Sequence, residues 1–241
     1  MKLTKFSLLK RRSDLTQAQF CEHWRHTHVQ VLVAQGGHKT YNRRYVQNHF
    51  IHDSGLEGGS EAFDGAAQMI PQDAGVLTRG FQEDPRYQQF VRPDEDRFLE
   101  VGRCVVLYGE SHVLREGAGP FKLLTLLKRQ PALTHAQFMQ AWRNRHAPLL
   151  QGQPDVWRLV KGYTQHEVLQ DATRGMAQGE RGDPAMAYDG VSELHFDSLA
   201  DLRAALASPA WRDLIGPDEA TFVGPGSHAF VAREEFIYDD A

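Results

Sequence analysis

Apolar and polar positions follow two rhythms along this chain, and the same succession of rhythms occurs twice. Residues 3–9 (LTKFSLL) and 121–128 (FKLLTLLK) are apolar-rich runs of strand length. A turn follows each, and then Thr16 or Thr134 with a Gln three positions on, a capping-box pattern that predicts a helix start. The helices should run to about residues 33 and 150. Strands are expected over 43–52 and 160–169, where Tyr, Val and Thr alternate with polar residues. Polar, Gly-rich connections come next, at 53–62 and 171–185, and their composition predicts mobility. Third strands over 63–71 and 187–196, a short helix best seen in LADLRAALAS (199–208), and last strands over 103–109 and 228–237 complete each half. The order is βαββαβ, so the expected class is α+β with two tandem ferredoxin-like units.

The recurrence is a true duplication. Sliding the chain by 118 residues lays LLKRRSDLTQAQFCEHWRHTH (8–28) on LLKRQPALTHAQFMQAWRNRH (126–146), with 12 of 21 positions identical. Tyr45 falls on Tyr163 and Gln47 on Gln165; after a gap, FDG (63–65) matches YDG (188–190) and DPRYQQFVRPDE (84–95) matches SPAWRDLIGPDE (208–219). A unit this long is a domain rather than a solenoid repeat. The expected domains are 1–115 and 116–241.

Composition narrows the function without choosing it. A formal net charge of −4, with no long basic run, argues against a general nucleic-acid or anionic-membrane surface. Two cysteines, Cys21 and Cys104, without a CxxC, make a disulfide framework or thiolate zinc site improbable. No stretch has the length of a signal peptide core or a membrane span, so the expectation is a soluble protein of a reducing, cytoplasmic compartment. Neither GxGxxG nor a P-loop occurs, and no nucleotide cofactor is expected.

Candidate chemistry centres on histidine. At 100° per residue, Phe20, Trp24, His28 and Leu32 share one face of the first helix, as do Phe138, Trp142, His146 and Leu150 of its repeat. The repeated histidine therefore sits in an apolar stripe, where it can be a packed residue with one hydrogen bond or a general acid/base. Pro148 should kink or end the helix just after His146; the first copy has Gln30 there. Arg25 and Arg143, at the border of the stripe, suit a strand-end carboxylate or an anionic substrate group. His23, His26 and His28 crowd one helix, but α-helical spacing scatters their rings, and no HExxH or facial-triad spacing occurs; no metal site is expected.

LLKRQPALTHAQFMQAWRNRHAPLL, then VKGYTQHEV, then YDGVSELHFDSLADLRAAL, resembles the EthD domain of the dimeric α/β-barrel superfamily. The likeness covers nearly all of the second copy; the first keeps the opening half and carries Gln68 where the second has Glu193. The resemblance implies that the two halves close into one barrel within the chain, and that two chains could associate further as a homodimer. It puts the family's helix histidine on His28 and His146, its tryptophan on Trp24 and Trp142, and its strand glutamate on Glu193. His166 and His195 lie on neighbouring expected strands of the second copy. With Tyr163, Glu193 and Trp142 they could form an acid/base cluster beside an aromatic-lined cleft. The expected catalytic residues are His146, Glu193, His195 and His28, and the expected substrate-binding residues are Trp142, Tyr163, His166 and Arg143. The resemblance implies cofactor-independent chemistry (dehydration, decarboxylation, cyclisation or oxygenation, as a lyase or oxidoreductase) on a small aromatic or polyketide-like molecule. The alternative is a non-catalytic ligand-binding or stress-type barrel.

Overall fold

A computed structural model describes residues 2–77, 80–172, 174–175 and 187–240. Most of the second Gly-rich connection (173 and 176–186) lies outside the described residues. The first half runs β1 (Leu3–Leu9), α1 (17–35), β2 (Asn42–Phe50), β3 (Gly65–Pro71), α2 (87–98) and β4 (Val105–Arg115). The second runs β5 (Phe121–Leu127), α3 (135–151), α4 (Pro154–Trp157), β6 (Val160–Val168), the two-residue β7 (Arg174–Gly175), β8 (Gly190–Phe196), α5 (Leu199–Leu206), α6 (211–220) and β9 (His228–Asp239).

Within each half the strands lie antiparallel in the order last-first-third-second, β4-β1-β3-β2 and β9-β5-β8-β6. The last strands run past the expected ends at 109 and 237 because each serves both halves. Residues 105–110 of β4 pair with β1, while 109–115 pair with β6. Likewise, 228–233 of β9 pair with β5, and 232–239 pair with β2. The eight long strands thus close into one antiparallel barrel, which removes open sheet edges.

Both long helices start as their sequences require. Thr16 and Thr134 each accept from the backbone N–H of the Gln three residues on, whose side chain returns to the cap N–H. Such a cap stabilises by about 0.5–2 kcal/mol. Neither helix then stays α-helical. Residues His23–His28, Val31–Gln35 and Trp142–His146 form wide π turns. Pro148 does not end α3, which continues to Gln151. The wide turn takes its closing bond from the Ala147 N–H to the Trp142 carbonyl, and Pro148 follows as an early residue of a new α turn, where a missing N–H costs little.

The repeated residues form a repeated lock. The Trp24 indole donates to the Tyr45 hydroxyl at 2.9 Å, and the Gln47 amide donates to that hydroxyl and to the Trp24 carbonyl. Gln165 makes the corresponding bonds to Tyr163 and the Trp142 carbonyl. Gly65 and Gly190 are needed beside these rings, since a Cβ there would sit 2.6 Å from Trp24 Cζ3 and 2.4 Å from Trp142 Cζ3. The preceding Asp64 and Asp189 accept from the backbone and guanidinium of Arg11 and Arg129. These contacts account for the Arg, Trp, Tyr-x-Gln and Asp-Gly residues repeated in each copy.

Strand alternation sorts the side chains into three regions. One face of the first half packs on α1 and α2 through Phe20, Trp24, Tyr45 and Phe98. The second half does the same through Phe138, Trp142 and Phe222, continuing into Leu123, Val160 and Leu194. The other faces meet inside the barrel, where Phe6, Leu8, Phe50, Leu124, Leu126 and Phe230 fill one end. The Phe50 and Phe230 rings stack across the two halves, 4.2 Å between centroids.

Candidate active site

The other end of the barrel is open and polar, with a cavity of about 340 Å³. Its floor is a cluster of inward-facing side chains from five strands: Lys122 on β5, His166 on β6, Glu193 and His195 on β8, Glu234 on β9 and Gln68 on β3. Lys122, His166 and Glu193 are each no more than 4% exposed. Burial of so many polar groups is tolerable only when they are hydrogen-bonded to one another.

Glu193 is the hub. Its Oε1 meets Lys122 Nζ at 2.8 Å and His195 Nε2 at 2.7 Å. Its Oε2 accepts from Gln68 Nε2 at 2.8 Å and lies 3.2 Å from His166 Nε2. Lys122 also contacts Glu234 and donates to Gln68 Oε1 at 3.0 Å. Burial by itself would raise the Glu193 carboxyl. The Lys122 ammonium and the hydrogen bonds from His166 and His195 outweigh it and hold the group well below the usual carboxylate range.

An ionised Glu193 accepts only, so both imidazoles present Nε2–H to it. In the neutral ring His166 Nδ1 is the acceptor; it lies 2.9 Å from Ser111 Oγ, and Ser111 Oγ is 2.7 Å from Thr4 Oγ1. The result is a hydrogen-bonded chain Thr4–Ser111–His166–Glu193, all of whose members border the cavity. Such a chain orients the imidazole of a general base through its far nitrogen. Glu193, His195 and Glu234 each offer a ligand atom, all within 4.8 Å of one another. Lys122 lies against both carboxylates, so a divalent ion would have to displace that ammonium.

Of the expected site residues, the structure brings Glu193, His195 and His166 together and separates them from the rest. Trp142 and Tyr163 lie on the opposite face of the sheet, in the lock described above. The reason is the two-residue period: on β6, Tyr163 faces the helices while Thr164 and His166 face the barrel. The cleft is accordingly not aromatic-lined. His146 is also behind the sheet, with Nδ1 3.0 Å from Asp218 Oδ2 and its ring edge-on to Phe222. His28 makes the corresponding bond, Nδ1 to Asp94 Oδ2 at 2.7 Å. His23 reaches the same carboxylate at 3.0 Å, because the π turn brings residues five apart to one side of the helix. Arg143 pairs with the strand carboxylate of Glu167 at 2.9 Å, and Arg25 with Glu235.

Lys122, Glu234, Gln68 and Ser111 were not anticipated. Lys122 alone left a signal, a charged residue at an alternating position of an otherwise apolar strand. The duplication sharpens it. In the repeat alignment Lys122, His166, Glu193, His195 and Glu234 replace Thr4, Asn48, Gln68, Ile70 and Gly109. The ionisable cluster thus comes from the second half, and the first contributes neutral partners.

A closed antiparallel barrel made of two repeats, with a polar cavity at one end, defines an intrachain α/β barrel of the dimeric α/β-barrel type. The chain belongs to the EthD domain family, whose model matches residues 12–102 and 130–226. Among solved structures it is similar to an anthrone oxidase-like protein, with a TM-score of 0.66 at 13% identity over 100% of this chain and 95% of that one. It is also similar to a proposed monooxygenase from Lactobacillus acidophilus, with a TM-score of 0.52 at 8% identity over 100% and 98% of the two chains. A proposed monooxygenase from Fusobacterium nucleatum gives a TM-score of 0.55 at 6% identity, over 98% and 94%. No curated protein matches the chain. These likenesses show the fold. No described helix is long and apolar enough to cross a membrane.

Proposed function

We propose that this protein is a small-molecule enzyme working in the polar end of the barrel, by histidine-assisted proton transfer without a tightly bound cofactor. The observation that carries the reading is the Ser111–His166–Glu193 chain opening on a cavity beside a buried ammonium. His166 takes the substrate proton, directly or through Ser111. Glu193 fixes the ring, and Lys122 stabilises negative charge developing on a substrate oxygen. An enolate next to a carbonyl is the intermediate these reactions share: proton removal forms it in dehydration, cyclisation and oxygenation of polyketide-like rings, and loss of carbon dioxide forms it in decarboxylation, after which a protonated histidine returns a proton to carbon. The two halves are read as ferredoxin-like units, 1–115 and 116–241, with the second supplying the chemistry.

Anthrone is a suitable first probe, given the anthrone oxidase-like neighbour. Deprotonation at its methylene carbon gives an enolate; dioxygen then supplies the new carbonyl oxygen, and water leaves as anthraquinone forms. The wild-type protein should accelerate dioxygen uptake and quinone absorbance. His166→Gln should lower the rate on the order of 10²-fold or more. An accelerated rate unchanged in His166→Gln would refute the assignment of the base. A wider panel of hydroxylated aromatic ketones that neither binds nor turns over would refute the enzyme reading.

A second reading has an observation of its own. Glu193 accepts four hydrogen bonds and Lys122 has three acceptors, so the cluster is saturated as it stands. A fully satisfied network also serves to rigidify a non-catalytic binding barrel. Ligand binding without turnover would favour it.

A further inference from the structure

A second cavity lies on the other side of the first-half sheet, between β1 and the helices α1 and α2, with a volume of about 40 Å³. The sheet separates it from the barrel: Lys5, Ser7 and Leu9 border it, whereas the intervening Phe6 and Leu8 fill the barrel. Rings of Trp24, Tyr45, Phe81 and Tyr87 wall it, and His28 and Glu95 also reach it.

Lys5 is the unusual member. It is 8% exposed; among the described residues its ammonium has no hydrogen-bond acceptor or carboxylate in direct contact, lies 6.0 Å from the Tyr108 ring, and is close enough for its charge to act on Glu95 and His38. The nearby acids are otherwise engaged. Asp94 serves His28 and His23, while Glu95 accepts from the Tyr87 hydroxyl at 2.5 Å. Burial pushes the Glu95 carboxyl up to about 8, so near neutral pH it is mostly uncharged. With Glu95 mostly uncharged, this ammonium at the cavity wall lacks a full counter-charge, a cost that an anion in the cavity would offset. Ser7, two residues along the same strand face, places a hydroxyl at the same wall.

The volume sets the size. One water needs about 10–15 Å³ by this measure, so the space suits an anion of three or four heavy atoms and excludes an aromatic ring. We propose that this cavity is a binding site for a compact carboxylate-type anion, of formate to acetate size, held by Lys5 Nζ and Ser7 Oγ. It is distinct from the barrel site in position and ligand size.

Calorimetric titration of the full chain with formate and with acetate, and with benzoate as a size control, tests this. Both small anions should bind the wild-type protein, and benzoate at least tenfold more weakly. Lys5→Met should raise Kd at least tenfold. Ala67→Leu, which fills the cavity wall and keeps the lysine, should do the same. Either variant suffices if the other does not fold. Arg44→Gln, at the barrel cavity, should leave Kd unchanged. The proposal is overturned if folded wild-type protein binds neither anion or binds benzoate as tightly. It is equally overturned if Kd is unchanged in the folded cavity variants or if Arg44→Gln abolishes binding.

Discussion

The first strands of the two halves, LTKFSLL and FKLLTLL, each bury one lysine, but on opposite faces of their sheets. Lys5 aligns with Leu123, and Lys122 with Thr4. Because successive strand residues point to opposite faces, a one-residue displacement carries a charge from the helix side to the barrel side. Each lysine is accompanied by its own polar surroundings. Lys122 has Glu193, Glu234 and the two histidines, where the first half offers Thr4, Gln68 and Asn48. Lys5 shares its cavity with His28, His38 and Glu95, where the second half replaces Lys5 and His38 by Leu123 and Val156. Duplication thus preserved the scaffold while each half made a different face polar.

Breaking the charged cluster should have the largest effect. Glu193→Ala leaves Lys122 short of a counter-ion, and a buried pair broken on one side costs about 3–5 kcal/mol. Gln68→Ala, at the matching position of the first half, removes neutral hydrogen bonds and should cost about 1–3 kcal/mol. Urea denaturation of the two variants measures the difference, and equal losses would mean that the barrel floor is no more polarised in one half than in the other.

Where the halves are alike, effects should be alike. Gly65→Ala and Gly190→Ala each drive a methyl into a locked tryptophan, and overpacking of this kind costs about 1–3 kcal/mol. Midpoints shifted by similar amounts would support a common lock; a shift in only one half would show that the lock is not shared.

The smallest effect concerns the repeated helix histidine. Burial, only partly offset by Asp94 and Asp218, lowers the pKa of His28 and of His146. The unfolded chain therefore takes up their protons first, as pH falls below about 6.5. Their contribution to stability is present above that pH and is lost as pH falls through the folded values. His28→Gln and His146→Gln should each flatten the decline in stability between pH 7 and 5, by less than about 1.4 kcal/mol per pH unit. A slope unchanged in both variants would rule out titration of these rings as a source of acid sensitivity.

Much of the architecture was written in the local pattern. The capping boxes, the strand alternation and the repeated Arg, Trp, Tyr-x-Gln and Asp-Gly residues correspond to visible contacts in each half. The site was only half legible. His166, Glu193 and His195 could be grouped because they lie on neighbouring strands of one copy. Trp142 and Tyr163 were grouped with them because a linear reading does not say which face of the sheet a cleft will use. The π turns leave no mark in the sequence either, since a regular 100° step hides the approach of His23 and His28 to one aspartate.

By itself, the sequence determined the two copies, their element order and the apolar faces, because those follow from interactions between residues a few positions apart and from direct comparison of the repeats. Only the tertiary structure decided which polar residues share a cavity. Gln68 meets Glu193 across 125 residues, and Thr4 meets Ser111 across 107, through a barrel closed by β4 and β9. Such contacts depend on how two sheets join edge to edge, and no local periodicity encodes that.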